Sequence, residues 1–261
     1  MKRFALATLA IVLLGATTVE DVTKLYEERE LRYTGGEYQD HAFKYRLMKP
    51  PASEPGKKYP LVLFLHGAGE RGTDNLVSLK YLPTWIAEPE GRRQFPCFVL
   101  VPQCPPEKMW IDKHWALKEH AMSPEPTDEM KAVVAMLRQV MDQEAVDKNR
   151  VYLTGLSMGG YGAWELAARH PDLFAAVVPI CGGGDERQVS KLVGLPIWAW
   201  HGTLDQAVPV ERSRRMIEAI RAAGGNPFYT ELEHVNHNSW SPAYHSPDLL
   251  AWMFRQTRAN K

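Results

Sequence analysis

The stretch Gly155-Leu156-Ser157-Met158-Gly159-Gly160 constrains the fold of this chain more than any other. It follows the run Val151-Tyr152-Leu153-Thr154 and precedes a segment, Tyr161 to Arg169, that reads as helix. Glycines flanking a serine at a strand-to-helix junction have a physical purpose. A turn this tight brings strand and helix so close that the neighbouring residues must lack a β-carbon. The serine is then lifted clear of the sheet, with its hydroxyl exposed and the helix N-terminus behind it.

The rest of the chain supplies a matching scaffold. Continuous apolar runs recur at 61–65, 97–101, 151–153, 175–180 and 197–200, and such runs suit parallel strands buried on both faces. Between them lie helical patterns. Asp128 to Met141 carries Met130, Val133, Val134, Leu137, Val140 and Met141 on one stripe, with Thr127 as N-cap. Val210 to Ala223 is a second, ended by Gly224-Gly225. Phe43, Tyr45 and Leu47 alternate with polar residues and predict an early antiparallel strand. Phe228 to Leu232 reads as a last strand and Leu249 to Thr257 as a closing helix. Strands alternating with helices predict an α/β fold, a mostly parallel central sheet with helices on both faces. With no repeat or low-complexity linker, residues 25–261 read as a single domain.

Lys+Arg and Asp+Glu balance at 31 each, so no global field draws the chain to nucleic acid or anionic membranes. Residues 1–18 have the layout of a secretory signal peptide: Lys2 and Arg3, an apolar run from Phe4 to Gly15, then Ala16, Thr17 and Thr18. This predicts a secreted or periplasmic protein. The small residues make no clean A-x-A site, so an uncleaved N-terminal anchor is the alternative. Cys97, Cys104 and Cys181 are an odd number, and the first two bracket one predicted strand that holds them too far apart to bridge. They read as small buried apolar residues. None has metal-ligand spacing, and no metal is expected.

A serine hydroxyl is a poor nucleophile until a base takes its proton, and the base needs a carboxylate to fix its tautomer. Both partners are expected in loops beyond the C-terminal ends of later strands. Asp205, in His201-Gly202-Thr203-Leu204-Asp205, is the first choice of acid, and Asp185, in Cys181-Gly182-Gly183-Gly184-Asp185, the alternative. His237 is the first choice of base in His234-Val235-Asn236-His237-Asn238-Ser239-Trp240, against His234 and His245. His66 and His201 precede glycines at strand ends and read as structural, bonding local backbone. An oxyanion needs two preorganised N–H donors. The Met158 amide is one candidate; the other is the Ala68 amide in His66-Gly67-Ala68-Gly69-Glu70-Arg71-Gly72, with Gly67 or Gly69 as substitutes. That glycine-rich loop lacks both G-x-G-x-x-G and a Walker lysine.

Leu63 to Gly72, Pro102-Gln103-Cys104-Pro105, Gly155 to Gly160, Pro179 to Asp185, His201 to Asp205 and His237-Asn238-Ser239-Trp240 stand in a fixed order. Together they resemble the exported α/β-hydrolase esterases grouped with polyhydroxybutyrate-depolymerase-like, feruloyl-esterase-like and dienelactone-hydrolase-like proteins, over roughly residues 40 to 255. The resemblance implies the α/β-hydrolase fold, a triad of Ser157, Asp205 and His237, no cofactor, and hydrolysis of carboxylic esters. Dienelactone hydrolases proper use a cysteine nucleophile where this chain has Ser157. No polymer-binding module is appended, which argues against attack on insoluble polyester.

Eight tryptophans bear on the substrate. Trp164, Trp198 and Trp200 read as core. Trp110 and Trp115 lie in the irregular stretch Pro102 to Pro126, and Trp240 follows His237 by three residues. Trp110 and Trp240 are expected at a pocket rim, where they would suit an aromatic acyl group or a sugar ring. The first expectation is a serine esterase acting on a small-molecule or oligosaccharide ester, such as acyl groups on plant polysaccharide fragments. A prolyl-oligopeptidase-type serine peptidase shares fold and triad, but the chain has no room for the gating domain such peptidases carry. A non-catalytic binding protein on the same scaffold would have lost a triad member. Oligomeric state is not legible.

Overall fold

The structure is a computed structural model that describes residues 18–51 and 54–258. The signal-peptide-like segment, apart from Thr18, lies outside the described residues. Eight strands form one sheet: β1 (Tyr26–Gly35), β2 (Tyr38–Met48), β3 (Tyr59–Leu65), β4 (Phe98–Pro102), β5 (Val146–Leu156), β6 (Ala176–Ile180), β7 (Trp198–Gly202) and β8 (Phe228–Leu232). Their spatial order is β1-β2-β4-β3-β5-β6-β7-β8. The pairs β1/β2 and β2/β4 are antiparallel, and every other pair is parallel. The helices are α1 (Val19–Thr23), α2 (Leu82–Ile86), α3 (Pro89–Gln94), α4 (Asp128–Gln143), α5 (Met158–Arg169), α6 (Glu211–Ala222), α7 (Trp240–Tyr244) and α8 (Pro247–Arg255).

The apolar runs divide by the two-residue period of a strand. On β3, Leu61, Leu63 and Leu65 join a core with Met130, Val133 and Leu137 of α4, Trp164 and Leu166 of α5, and Met216 and Ile217 of α6. Val62 and Phe64 point the other way, into a core with Leu82 and Ile86 of α2 and Leu249, Trp252 and Met253 of α8. Both faces are therefore covered, as the runs predict. Thr127 caps α4, its hydroxyl accepting the Met130 N–H at 3.1 Å.

Among the departures from the sequence reading, three concern the sheet and its N-terminal edge. The folded unit begins before residue 25, because α1 is capped by a Thr18–Asp21 capping box and buries Val22. Strand β1 is absent from the prediction. It is a polar edge strand whose charged side chains make ion pairs such as Arg29–Glu144 at 2.6 Å, so it lacks an apolar signal. Strand β5 starts at Val146 and includes polar residues 147–150, with a register irregularity against β3 between Tyr59 and Leu61. All three cysteines are free and buried, and burial pushes their thiols well up.

Buried polar groups fasten the loops that leave the C-terminal edge of the sheet. His66 donates from Nδ1 to the Gly67 carbonyl at 2.7 Å and accepts the Cys104 N–H at Nε2 at 3.0 Å, tying the β3 loop to the β4 loop. Arg212 of α6 is fully buried and donates to the carbonyls of Lys118 and Gly184, to Glu186, and to Nδ1 of His120 at 2.9 Å. It thus pins the long loop after β4 to the loop after β6.

These histidines make folding pH-sensitive. Burial lowers His66 to about 4. Burial, then the Arg212 guanidinium, lowers His120 to about 4. An unfolded histidine titrates near ~6.5. Each therefore contributes stability that is complete above that pH and lost as pH falls toward 4, because the unfolded chain takes up the proton more readily. Glu70 and Glu165, whose carboxyls burial pushes up, act in the opposite direction. The comparison that isolates the histidine share is wild type against His120→Gln by scanning calorimetry. The wild-type advantage in Tm is expected to shrink steadily between about pH 6.5 and 4, and a constant difference would refute it.

Candidate active site

The central strand β5 ends at Leu156 and α5 begins at Met158, leaving Ser157 as the whole connection. Ser157 adopts φ 54° and ψ −119°, a left-handed conformation that costs on the order of 1–3 kcal/mol for a residue with a side chain. Neighbouring contacts hold it there. Its N–H donates to the Ile180 carbonyl at the end of β6 at 2.9 Å. A Cβ on Gly159 would overlap the Leu65 carbonyl, and one on Gly155 would overlap the Gly159 carbonyl. The helix therefore starts one turn earlier than Tyr161, the start its side chains suggest.

The structure brings Ser157, His237 and Asp205 together. The Ser157 hydroxyl lies 2.9 Å from His237 Nε2, and His237 Nδ1 lies 2.7 Å from Asp205 Oδ2. A carboxylate only accepts, so Nδ1 carries the proton and Nε2 is left free to accept from the hydroxyl. The Asp205 side chain is fully buried, whereas His237 keeps 28% of its side chain exposed. Oδ1 of Asp205 accepts the N–H groups of Ala207 and Val208, both at 2.9 Å. Oδ2 accepts from His237 and also from His201 Nε2, at 3.1 Å. Burial alone would raise this carboxyl. The hydrogen bonds from His201, His237 and the Val208 N–H outweigh it and hold the group well below the usual carboxylate range.

The alternatives lie elsewhere. Asp185 caps the short 3-10 helix Glu186–Lys191, accepting from Arg187, and its other oxygen takes the Met122 N–H at 2.8 Å. His234 is exposed at φ 60° in the turn after β8. His245 is exposed and bonds the Ser241 carbonyl. For the oxyanion, Met158 is the first residue of α5 and Ala68 the first of the 3-10 turn Ala68–Glu70. First-turn amides have no acceptor within their own helix. The loop carrying Ala68 lies against the nucleophile: a Cβ on Gly67 would sit 3.6 Å from that of Ser157.

The two tryptophans part company. Trp110 is not at a rim but 1% exposed, donating from Nε1 to the His66 carbonyl at 2.9 Å and set edge-on to the His66 ring. The loop after β4 turns inward, and the indole staples it to the end of β3. Its expected role in substrate contact is overturned. Trp240 is half-buried and edge-on to His237, centroids 5.3 Å apart, and the Tyr81 ring lies tilted against it at 5.4 Å. The buried Trp240 Nε1 has no hydrogen-bond partner among the described residues. Tyr81, at φ 66°, was missed because backbone strain leaves no sequence signal. His201 was read as bonding only backbone; its contact with Asp205 is set by the turn after β7 and has no sequence signal.

Donor atoms of Cys181, Asp205 and His237 lie within 4.8 Å of one another, a spacing a metal ion could use. Their chemistry argues against it. Every lone-pair direction of the Asp205 carboxylate already meets an N–H. Burial also keeps the Cys181 thiol protonated, whereas a metal needs the thiolate.

The elbow predicts a sharp contrast between two glycines. Gly159→Ala should destabilise the fold by about 3 kcal/mol, since the blocking atom is backbone and cannot swing away. Gly69→Ala, with nothing within 4 Å of its added Cβ, should melt like wild type. Urea denaturation of the two variants checks this, and equal midpoints would contradict the elbow packing.

Comparison with known proteins places this arrangement in a lineage. A family model described as the Dienelactone hydrolase family matches residues 107–238, half of the chain, and spans Ser157, Asp205 and His237. A crystal structure of a thermostable esterase superposes with a TM-score of 0.81 at 38% identity, covering 91% of this chain and 64% of that one. An uncharacterized secreted protein of Arthroderma benhamiae is 22% identical over 81% of this chain, which spans 25% of that protein's length. A putative carboxymethylenebutenolidase of Escherichia coli O157:H7 is 29% identical over 44% of this chain and 49% of its own length. The chain thus covers less than two thirds of each of these relatives. It belongs to the dienelactone hydrolase family and has the α/β-hydrolase fold.

Proposed function

We propose that this protein is a carboxylic ester hydrolase in which Ser157 is the nucleophile, His237 the general base and Asp205 the residue that fixes the base. The observation that carries the reading is the unbroken hydrogen-bond chain from the buried Asp205 carboxylate through His237 to the strained Ser157. His237 Nε2 takes the hydroxyl proton as the Ser157 oxygen adds to the ester carbonyl. The amides of Met158 and Ala68 receive the oxyanion of the tetrahedral intermediate. The imidazolium, stabilised by Asp205, then protonates the departing alcohol and leaves an acyl-serine. Water repeats the sequence, giving its proton to His237 and releasing the acid.

Substrate preference follows from the surroundings. Trp240 stands edge-on to His237 and Tyr81 packs against Trp240, making an aromatic wall at the site. Such a wall suits soluble esters that carry a ring, for instance acyl groups on plant polysaccharide fragments. The signal-like N-terminus and the secreted relative support action outside the cytoplasm.

Ser157→Ala should abolish hydrolysis of p-nitrophenyl esters and covalent labelling by a fluorophosphonate while leaving Tm unchanged. Labelling that persists in the variant would sink the assignment. A prolyl-peptide substrate cleaved faster than any ester would instead make the protein a peptidase with the same machinery.

Asp205→Asn should lower kcat by about four orders of magnitude, because the amide favours the wrong imidazole tautomer. Asp185→Asn alters a loop cap that bonds Arg187 and Met122 rather than His237, and should leave kcat nearly unchanged. Steady-state kinetics on methyl ferulate or a short p-nitrophenyl ester decides between them, and the reverse ranking would transfer the acid role to Asp185.

A further inference from the structure

We propose that His201 is a positioning residue of this site: it grips the Asp205 carboxylate beside His237 and thereby limits how strongly that carboxylate draws charge onto the His237 ring. The inference rests on the triad reading given above. Its evidence is the set of partners around a ring that has no solvent exposure. His201 Nε2 is 3.1 Å from Asp205 Oδ2 and 3.0 Å from the Val208 carbonyl. Nδ1 is 2.8 Å from the Ser213 hydroxyl. A carboxylate and a carbonyl can only accept, whereas a hydroxyl can give or take. A bare lone pair at Nε2 would face two acceptors in a dry site, so Nε2 must carry the proton. The ring is therefore a donor to Asp205.

That donor completes the shell of the carboxylate. Asp205 receives four N–H groups: Ala207 and Val208 on Oδ1, His201 and His237 on Oδ2. An ionised carboxyl offers about four lone-pair sites. With all of them engaged it cannot rotate, and it presents one fixed oxygen to a His237 that is itself partly open to solvent. Sharing Oδ2 between two imidazoles also divides the negative charge that His237 feels.

The grip extends back to the nucleophile. The Ser213 hydroxyl, near the start of α6, has one proton to share between His201 Nδ1 and the Gly182 carbonyl, 3.0 Å away, against which it packs. Gly182 in turn packs so closely on Gly160 of the elbow that no Cβ fits between them. A ring of contacts thus runs from the elbow through Gly182, Ser213, His201, Asp205 and His237 to Ser157. Other titratable groups around it are Cys181 after β6, Tyr161 on α5 and Glu231 on β8. Tyr161 donates to the Trp115 carbonyl, and Glu231 is paired with Arg214, at 2.8 Å from its Nε. Cys181 keeps its proton through burial, so none of the three replaces His201 at Asp205.

The test is imidazole proton–nitrogen NMR of the full chain without substrate, followed by the pH profile of kcat/KM. Wild type should show the proton on His201 Nε2. In His201→Leu, Asp205 loses a donor and holds the His237 imidazolium more tightly. The His237 midpoint should rise by about one unit, and kcat/KM on the acid limb should fall about tenfold, as a one-unit rise requires. His201→Gln, whose side-chain amide can still donate, should bring both back toward wild type. A purely structural His201 would lower Tm in both variants and leave the His237 midpoint where it is. That result, or a wild-type His201 Nε2 without its proton, overturns the proposal. If His201→Leu does not fold, the wild-type proton position and the His237 midpoint in His201→Met, which also lacks a donor but fills more of the space, still decide it. Because the NMR readout needs no turnover, absence of ester hydrolysis would fail the functional reading while leaving this one measurable.

Discussion

Backbone meeting backbone at the end of β5 is the contact on which the rest of the molecule depends. Helix α5 starts against the Leu65 carbonyl of β3 on one side and the Ile180 carbonyl of β6 on the other, at positions where only glycine fits. This close approach does two things at once. It buries nearly all of α5, from Met158 to Ala168, in the middle of the sheet. It also forces the single connecting residue, Ser157, into a conformation that its own side chain disfavours. The strain is tolerated because the surrounding strands fix both ends of the turn. The serine is therefore presented by the tightly packed junction of β5 and α5 rather than by a long loop.

Polar burial does for the loops what apolar burial does for the sheet. Five parallel pairings send every loop that matters to one edge, and loops there have little apolar surface of their own to hold them. The fastening falls to buried groups that make several hydrogen bonds each: His66 between the β3 and β4 loops, Arg212 between the β4 and β6 loops, Asp205 between the β7 and β8 loops. Each such group is costly to desolvate and stabilising only when all its partners are present. Such an arrangement fixes geometry tightly. It also makes the edge sensitive to proton binding, since a protonated His66 or His120 would lose an accepted hydrogen bond.

Much of this was legible in the chain itself. The apolar runs give the parallel strands and the two cores, since a strand buried on both faces needs no polar alternation. The glycine pattern marks the elbow because sterics at the turn admit no other residue. Asp205, Asp185 and His237 all stand beyond strand ends, a consequence of the parallel topology, and the folded chain brings Asp205 and His237 to Ser157 while Asp185 caps a 3-10 helix. What sequence could not decide depends on where a side chain points after the chain has folded. Trp110 and Trp240 look alike as loop tryptophans, yet one finds a buried carbonyl and becomes a staple while the other remains beside His237. Strand β1 is built from residues with weak strand signal and exists because β2 offers it an edge. The four donors on Asp205 come from four positions of which two lie outside its own turn. Local sequence determined the sheet, the elbow and the residue types at the site, because these follow from periodicity and backbone sterics. Only the tertiary structure decided which polar groups meet, because a buried hydrogen bond depends on distance and direction between segments that the chain separates widely.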